Sequence, residues 1–212
     1  CRVQWFALVT EQKGHLKKIM QDFNSSLDSP LVSLMENIFL AVFIFLCFLI
    51  LFLYKNKRSY LITAFPLGAL SAHQVEEYIL SPMLLGEKYH FLEWAYRSGV
   101  YISPMEVATV NTIPYLLTPL LFLFNPSTKI FAILFLFTSS MLLSNGMFHI
   151  GVASAQTDYS PGLITSLFMY IPLYIKALSL ASERVVPMKM QIALTIYGSI
   201  AHFLMLWLIN IF

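Results

Sequence analysis

The chain alternates between long apolar runs and short polar breaks. A helix needs about 20 apolar residues to cross a bilayer core. Six runs of that order stand out: Leu31–Tyr54, Leu61–Leu80, Pro104–Phe124, Ile130–Ile150, Pro161–Ala181 and Met188–Phe212. In lipid an open chain satisfies its backbone polar groups only as helix. The pattern therefore predicts an all-α fold, a polytopic transmembrane helix bundle of about six spans over residues 30–212. Ser160 reads as the N-cap of the fifth span and Pro161 as its first helical residue. Pro114, Pro119 and Pro172 fall inside spans, where a residue without an N–H interrupts the helical ladder and should kink it.

Two segments stand apart from the spans. Residues 1–29 form a polar leader, whose Trp5, Phe6, Leu8 and Val9 ahead of His15, Lys17 and Lys18 also fit an amphipathic helix in the headgroups. The longest connection, Ser81–Ser103, mixes Glu87, Lys88, Glu93 and Arg97 with Tyr89, Phe91, Trp94, Tyr96 and Tyr101, the composition of an interfacial segment. It follows the second span directly and is expected to fold back as a lid.

Composition narrows the class. The chain is 58% hydrophobic and 11% charged, whereas soluble domains carry about 25% charged residues. Disorder, a fibre and an ordinary cytosolic enzyme are excluded. A net charge of +2 is too small for a nucleic-acid partner. The two cysteines, Cys1 and Cys47, give no disulfide framework. Connections between spans 1–2, 3–4 and 5–6 hold Lys55, Lys57, Arg58, Lys129, Arg184 and Lys189, while the others hold only Lys88 and Arg97. Positive residues favour the cytoplasm, so the protein is expected to be a multi-pass membrane protein with those three connections inside. Arg2, Lys13, Lys17 and Lys18 of the leader oppose this orientation.

Polar residues inside spans are costly and mark function. The second span ends His73-Gln74-Val75-Glu76-Glu77, and on a helix His73, Glu76 and Glu77 share one face. Two adjacent carboxylates repel, and a helix C-terminus adds negative potential. A bound cation relieves both, and His with Glu is a normal ligand set for zinc, iron or manganese. The fourth span ends with Asn145 and His149 four apart, and a polar segment from Asp158 through Tyr159 to Thr165 opens the fifth. Asn111 lies two turns into the third span, and His202 sits deep in the sixth as a deeper ligand or a helix–helix hydrogen bond. In an alternating bundle the exits of spans two and four and the entries of spans three and five meet at one membrane face. That face is non-cytoplasmic in the orientation above.

With these residues in place the chain resembles the HXXEE-domain family of integral membrane proteins: His73-Gln-Val-Glu76-Glu77, then Phe91 and Trp94, Asn111, Asn145-x-x-x-His149, and Tyr159-Ser-Pro-Gly162 with Thr165. The resemblance covers residues 35–180 and implies a membrane enzyme of unassigned reaction. The expected activity is that of a metal-dependent membrane enzyme, hydrolytic or oxidative, acting on a lipid or other hydrophobic substrate. His73, Glu76, Glu77 and His149 are the expected ligands of a divalent ion, zinc or iron. Glu77, Asn145, Asn111 and Tyr159 are the candidate catalytic residues. Two alternatives compete: a glutamate-type intramembrane protease, against which stands Leu80 where an arginine would follow the pair, and a non-enzymatic ion-binding or accessory subunit. The apolar surface also suits membrane subunit partners besides the bilayer itself.

Overall fold

The computed structural model describes residues 30–99 and 102–209, all helical or in turns. The leader 1–29 and Tyr101 lie outside the described residues. The helices are α1 (Pro30–Asn56), α2 (Leu61–Val75), α3 (Ser81–Leu85), α4 (Phe91–Arg97), α5 (Pro104–Leu123), α6 (Lys129–Gln156), α7 (Leu163–Glu183) and α8 (Met188–Ile209). Each of the six predicted runs is occupied by helix. Among the described residues four of them, α1, α5, α6 and α7, are long and apolar enough to cross a membrane.

The central helix is α6. In its apolar stretch 61% of residues are buried within the bundle, against 17% for α1, which lies at the periphery. Phe131, Phe135 and Leu136 of α6 pack with Ala69 and Leu70 of α2, Leu121 of α5 and Tyr170, Leu173 and Ala177 of α7. A second core joins Val32, Met35 and Phe39 of α1 to Tyr78, Phe91, Trp94 and Val107. Small residues bring α6 and α8 together, as they do wherever helices associate without a hydrophobic drive. The Ser144 hydroxyl donates to Ser199 at 2.8 Å. A Cβ on Gly198 would stand 2.7 Å from the Ser140 Cβ and 2.9 Å from the Phe137 carbonyl.

Prolines shape the helices that carry the motif. The α2 helix widens into a π turn at Glu76–Leu80 before α3, and α7 does the same at Ser166–Tyr170. A proline stands just beyond each, Pro82 and Pro172. Its ring crowds the carbonyl four residues back and it has no N–H to give. The preceding residue bonds five residues back instead, Ser81 to the Glu76 carbonyl and Ile171 to that of Ser166. Pro114 stands within α5, and Pro119 enters the 3-10 turn Thr118–Leu123 that closes it.

Two boundaries differ from the sequence expectation. Helix α6 runs on to Gln156, six residues past the predicted exit, and stops on left-handed Thr157. Helix α7 begins at Leu163 rather than Pro161, because Ser160–Leu163 is a type II turn. Leu163 N–H donates to the Ser160 carbonyl at 3.0 Å, and Gly162 holds φ +89° at the third position.

Replacing Gly198 with valine should overpack the α6–α8 seam and cost about 1–3 kcal/mol. A thermal melt in detergent should show a lowered midpoint, while Gly151→Ala, which meets nothing within 4 Å, should leave it in place.

Candidate functional site

The C-terminal ends of α2 and α6 and the start of α7 converge. His73 Nε2 lies 3.4 Å and His149 Nε2 3.2 Å from the same oxygen, Oε1 of Glu77. The ligand atoms of His73, Glu77 and His149 lie within 4.8 Å of one another, a group that could hold a metal ion. All three side chains are buried, at 0%, 3% and 1% exposure. The two imidazoles meet edge to face at 4.9 Å.

Each imidazole is held by its other nitrogen. His73 Nδ1 is 2.7 Å from the Thr165 hydroxyl, and His149 Nδ1 is 3.1 Å from that of Ser160. Thr165 also donates to the Gly162 carbonyl at 3.2 Å. The contact with Thr165 turns Nε2 of His73 toward the Glu77 carboxylate, where it is buried and makes no hydrogen bond. Two imidazole nitrogens facing one buried carboxylate oxygen form a group that could hold a metal ion.

Glu76 was expected on the same face as His73 and Glu77, among the ligands. Its carboxylate instead turns to α7. Oε1 accepts from the Tyr159 hydroxyl at 2.5 Å and from Ile164 N–H at 2.9 Å, and Oε2 accepts from Thr165 N–H at 2.7 Å. It thus supplies the cap that Ser160 was expected to give, satisfying donors that a helix start leaves orphaned. The Ser160 side chain is free for His149 as a result. Gly162 is required twice here, by its φ and because a Cβ would run into the ring of His73.

Tyr159 therefore touches Glu76, and also Ser81 at 2.9 Å. Burial first, and then the bond to Glu76, hold its phenol protonated well above the usual range. Asp158 beside it is depressed by the Tyr159 N–H and the Tyr89 hydroxyl it accepts.

A cavity of about 150 Å³ opens against Glu77 and His149. Its wall includes Asn145, Asn111, Gln74, Phe91, Glu106 and His202. Asn145 and Asn111 thus border the site as expected, though Asn111 donates to its own helix at Val107. His202 is set deeper, on the same cavity and outside the ligand group. The Gln74 and Asn145 side chains each bury an amide oxygen without a partner.

The connection after α3 lies over the site. Phe91 and Trp94 rest on the His149 ring at 6.0 and 6.2 Å. Three ties hold it: His90 to Glu36 at 3.0 Å, Tyr89 to Asp158 at 2.9 Å, and Ser98 to Gln156 at 3.3 Å. The Thr165 and Ser160 hydroxyls behind the imidazoles, and the Glu36–His90 pair, were not part of the sequence reading, which gave Ser160 only the role of a helix cap. A glutamate inside the first turns of a span, needing a partner, was the available signal for the last of these.

The sequence model of the family described as "Protein of unknown function with HXXEE motif" matches residues 63–177. The chain belongs to this family. The match takes in the whole His73–Glu77–His149 group and leaves out α1 and α8. No curated protein and no solved structure matches the chain.

If Glu76 caps α7, Glu76→Ala should lower stability by about 1–3 kcal/mol, the cost of orphaning buried donors of a charge-assisted set. Thermal unfolding of chelator-treated protein checks this, since no metal contributes there. An unchanged midpoint would refute the capping role.

Proposed function

We propose that this member of the HXXEE family is a metal-dependent integral membrane enzyme acting on a lipid or another hydrophobic substrate, with a divalent ion held by His73, Glu77 and His149. The observation that carries the reading is the convergence of two buried imidazole nitrogens, Nε2 of His73 and Nε2 of His149, on one carboxylate oxygen of Glu77. Two histidines and a carboxylate form a donor set of catalytic zinc hydrolases and of iron oxygenases, so zinc or iron is the ion and the reaction is hydrolytic or oxidative.

A bound divalent ion would act as a Lewis acid on a substrate oxygen and make water a stronger nucleophile. The chain's own groups do the rest. Thr165 and Ser160 set the orientation of the two imidazoles, as partners of ligand histidines generally do. Phe91, Trp94 and Phe148 ring His149 and keep bulk water away. Asn145 and Asn111 stand on the cavity wall to orient a polar group of the substrate. Tyr159, committed to Glu76 and Ser81, positions rather than reacts. The same reading takes all six long helical runs as spans, with the site at the non-cytoplasmic face.

Protein purified in detergent without chelators should carry about one ion per chain, measured by elemental mass spectrometry. His73→Ala, His149→Ala and Glu77→Ala should each abolish it with the helical circular dichroism intact. Thr165→Val should weaken metal affinity about 10–100-fold, since its only loss is the hydroxyl behind His73. Incubation with a membrane lipid extract should deplete a lipid class in the presence of wild-type protein and not of His149→Ala. Wild-type protein that takes up neither zinc nor ferrous ion on reconstitution would overturn the reading.

A further inference from the structure

A second, larger hollow lies on the lipid side of the bundle. It is a groove of about 520 Å³ between α1 and α5, floored by Leu67 of α2. Leu34, Ile38 and Phe45 form one wall, and Ala108 and Leu116 belong to the other. Among the described residues no charged one lines it. Its residues on α1 recur at helical spacing from Leu31 to Leu46, a length of about 22 Å at 1.5 Å per residue. On α5 they run from Ala108 to Pro119, about 16 Å on the same measure. Both lengths match or exceed half of the ~30 Å hydrocarbon core. The groove therefore reaches from the site end of the bundle through one leaflet, parallel to the helices.

The groove and the site cavity share a wall residue, Asn111. Tyr78 of the cavity packs on Phe39 of the groove at 5.4 Å, and Phe39 stacks on Tyr115 at 6.2 Å. The two spaces are thus neighbours across Asn111 and a layer of aromatic rings.

We infer that the groove between α1 and α5 seats one acyl chain of a bilayer lipid, with the lipid's polar end delivered past Asn111 to the His73–Glu77–His149 cavity. The inference rests on the enzyme reading for what happens at the polar end. The seating of the chain itself does not need the metal. An apolar trough open to the membrane, one leaflet deep and without charge, matches a hydrocarbon chain in shape, length and polarity. Of its lining residues only Asn111, Thr112 and Tyr115 carry polar side-chain groups, and the first two donate to their own helix at Val107 and Ala108.

The test uses the full chain in nanodiscs with a phosphatidylcholine carrying a diazirine near the methyl end of one acyl chain, with cross-links mapped by peptide mass spectrometry. Labelling should concentrate on groove residues such as Ile38, Phe45 and Leu116 and should be competed by unlabelled lipid. The outward residues Ile196 and Phe203 of α8 should label weakly and without saturation. Thr112→Trp and Ala108→Phe, which fill the trough from α5, should each remove the competed labelling while metal content stays at the wild-type level. Groove labelling no stronger than that of α8, or unmoved by both variants, overturns the proposal. His73→Ala separates the two readings: groove labelling that persists in this variant supports the chain site whether or not metal is ever found, and its loss there overturns the claim that the seat is independent of the metal.

Discussion

The start of α7 is the constraint on which the site depends. A helix that begins inside an apolar bundle exposes backbone N–H groups that water cannot reach. Glu76, itself only 4% exposed, meets two of them with both carboxylate oxygens. Its negative charge also sits at the positive end of the helix dipole. This contact fixes the register of α7 against α2. The register brings Thr165 to Nδ1 of His73 and slides Gly162 under the same ring. The turn before it then delivers Ser160 to His149. One carboxylate outside that ligand group thereby arranges the hydroxyls behind both histidines that could hold an ion.

Glu77 is the opposite case, a carboxylate kept buried with no helix end to serve. Burying an anion costs several kcal/mol unless opposite charge and hydrogen bonds offset it. Here the facing atoms are two imidazole nitrogens, at 3.4 and 3.2 Å from one oxygen. Tyr170 packs on His73 at 4.8 Å, and Phe91, Trp94 and Phe148 enclose His149. Such walls lower the local dielectric, which makes a bare anion more costly and strengthens its attraction to a cation. The same enclosure would therefore strengthen the hold of Glu77 on an ion.

The gathering of His73, Glu77, Asn111, Asn145, His149 and Tyr159 at one end was legible in the sequence, because alternating spans place every second exit on one side. The division of labour between the two glutamates was not. Helical spacing puts residues 73, 76 and 77 on a common face, but their partners stand on different helices, His149 on α6 for one and the backbone of α7 for the other. The π turn that begins at Glu76 further departs from 3.6 residues per turn. Its signal, Pro82, falls beyond the predicted end of the span and so was not read as part of it. Ser160-Pro161-Gly162 fits both a helix start and a type II turn. The choice between them depends on whether another residue can cap the helix, and that residue is 84 positions away in the sequence at Glu76. The lid-forming position of Phe91 and Trp94 followed from aromatic content and from adjacency to the motif, whereas the ties that hold it, through Glu36, Asp158 and Gln156, come from three separate segments.

The division between the site and its surroundings follows from the same geometry. Every group of the candidate ligand set, and every hydroxyl behind those groups, comes from α2 and its π turn, from α6, or from the turn and first residues that open α7, the most enclosed part of the bundle. These elements lock one another through charge-assisted and hydroxyl hydrogen bonds that tolerate little displacement. Helix α1 is joined to them differently, by apolar contacts along its length, from Val32, Met35 and Phe39 to Leu46 and Leu53, and by Glu36 to His90, while most of its surface faces outward. Apolar contacts are non-directional and can re-form after a shift. The groove borders the least enclosed of these helices, while His73, Glu77 and His149 stand on the most enclosed elements of the bundle.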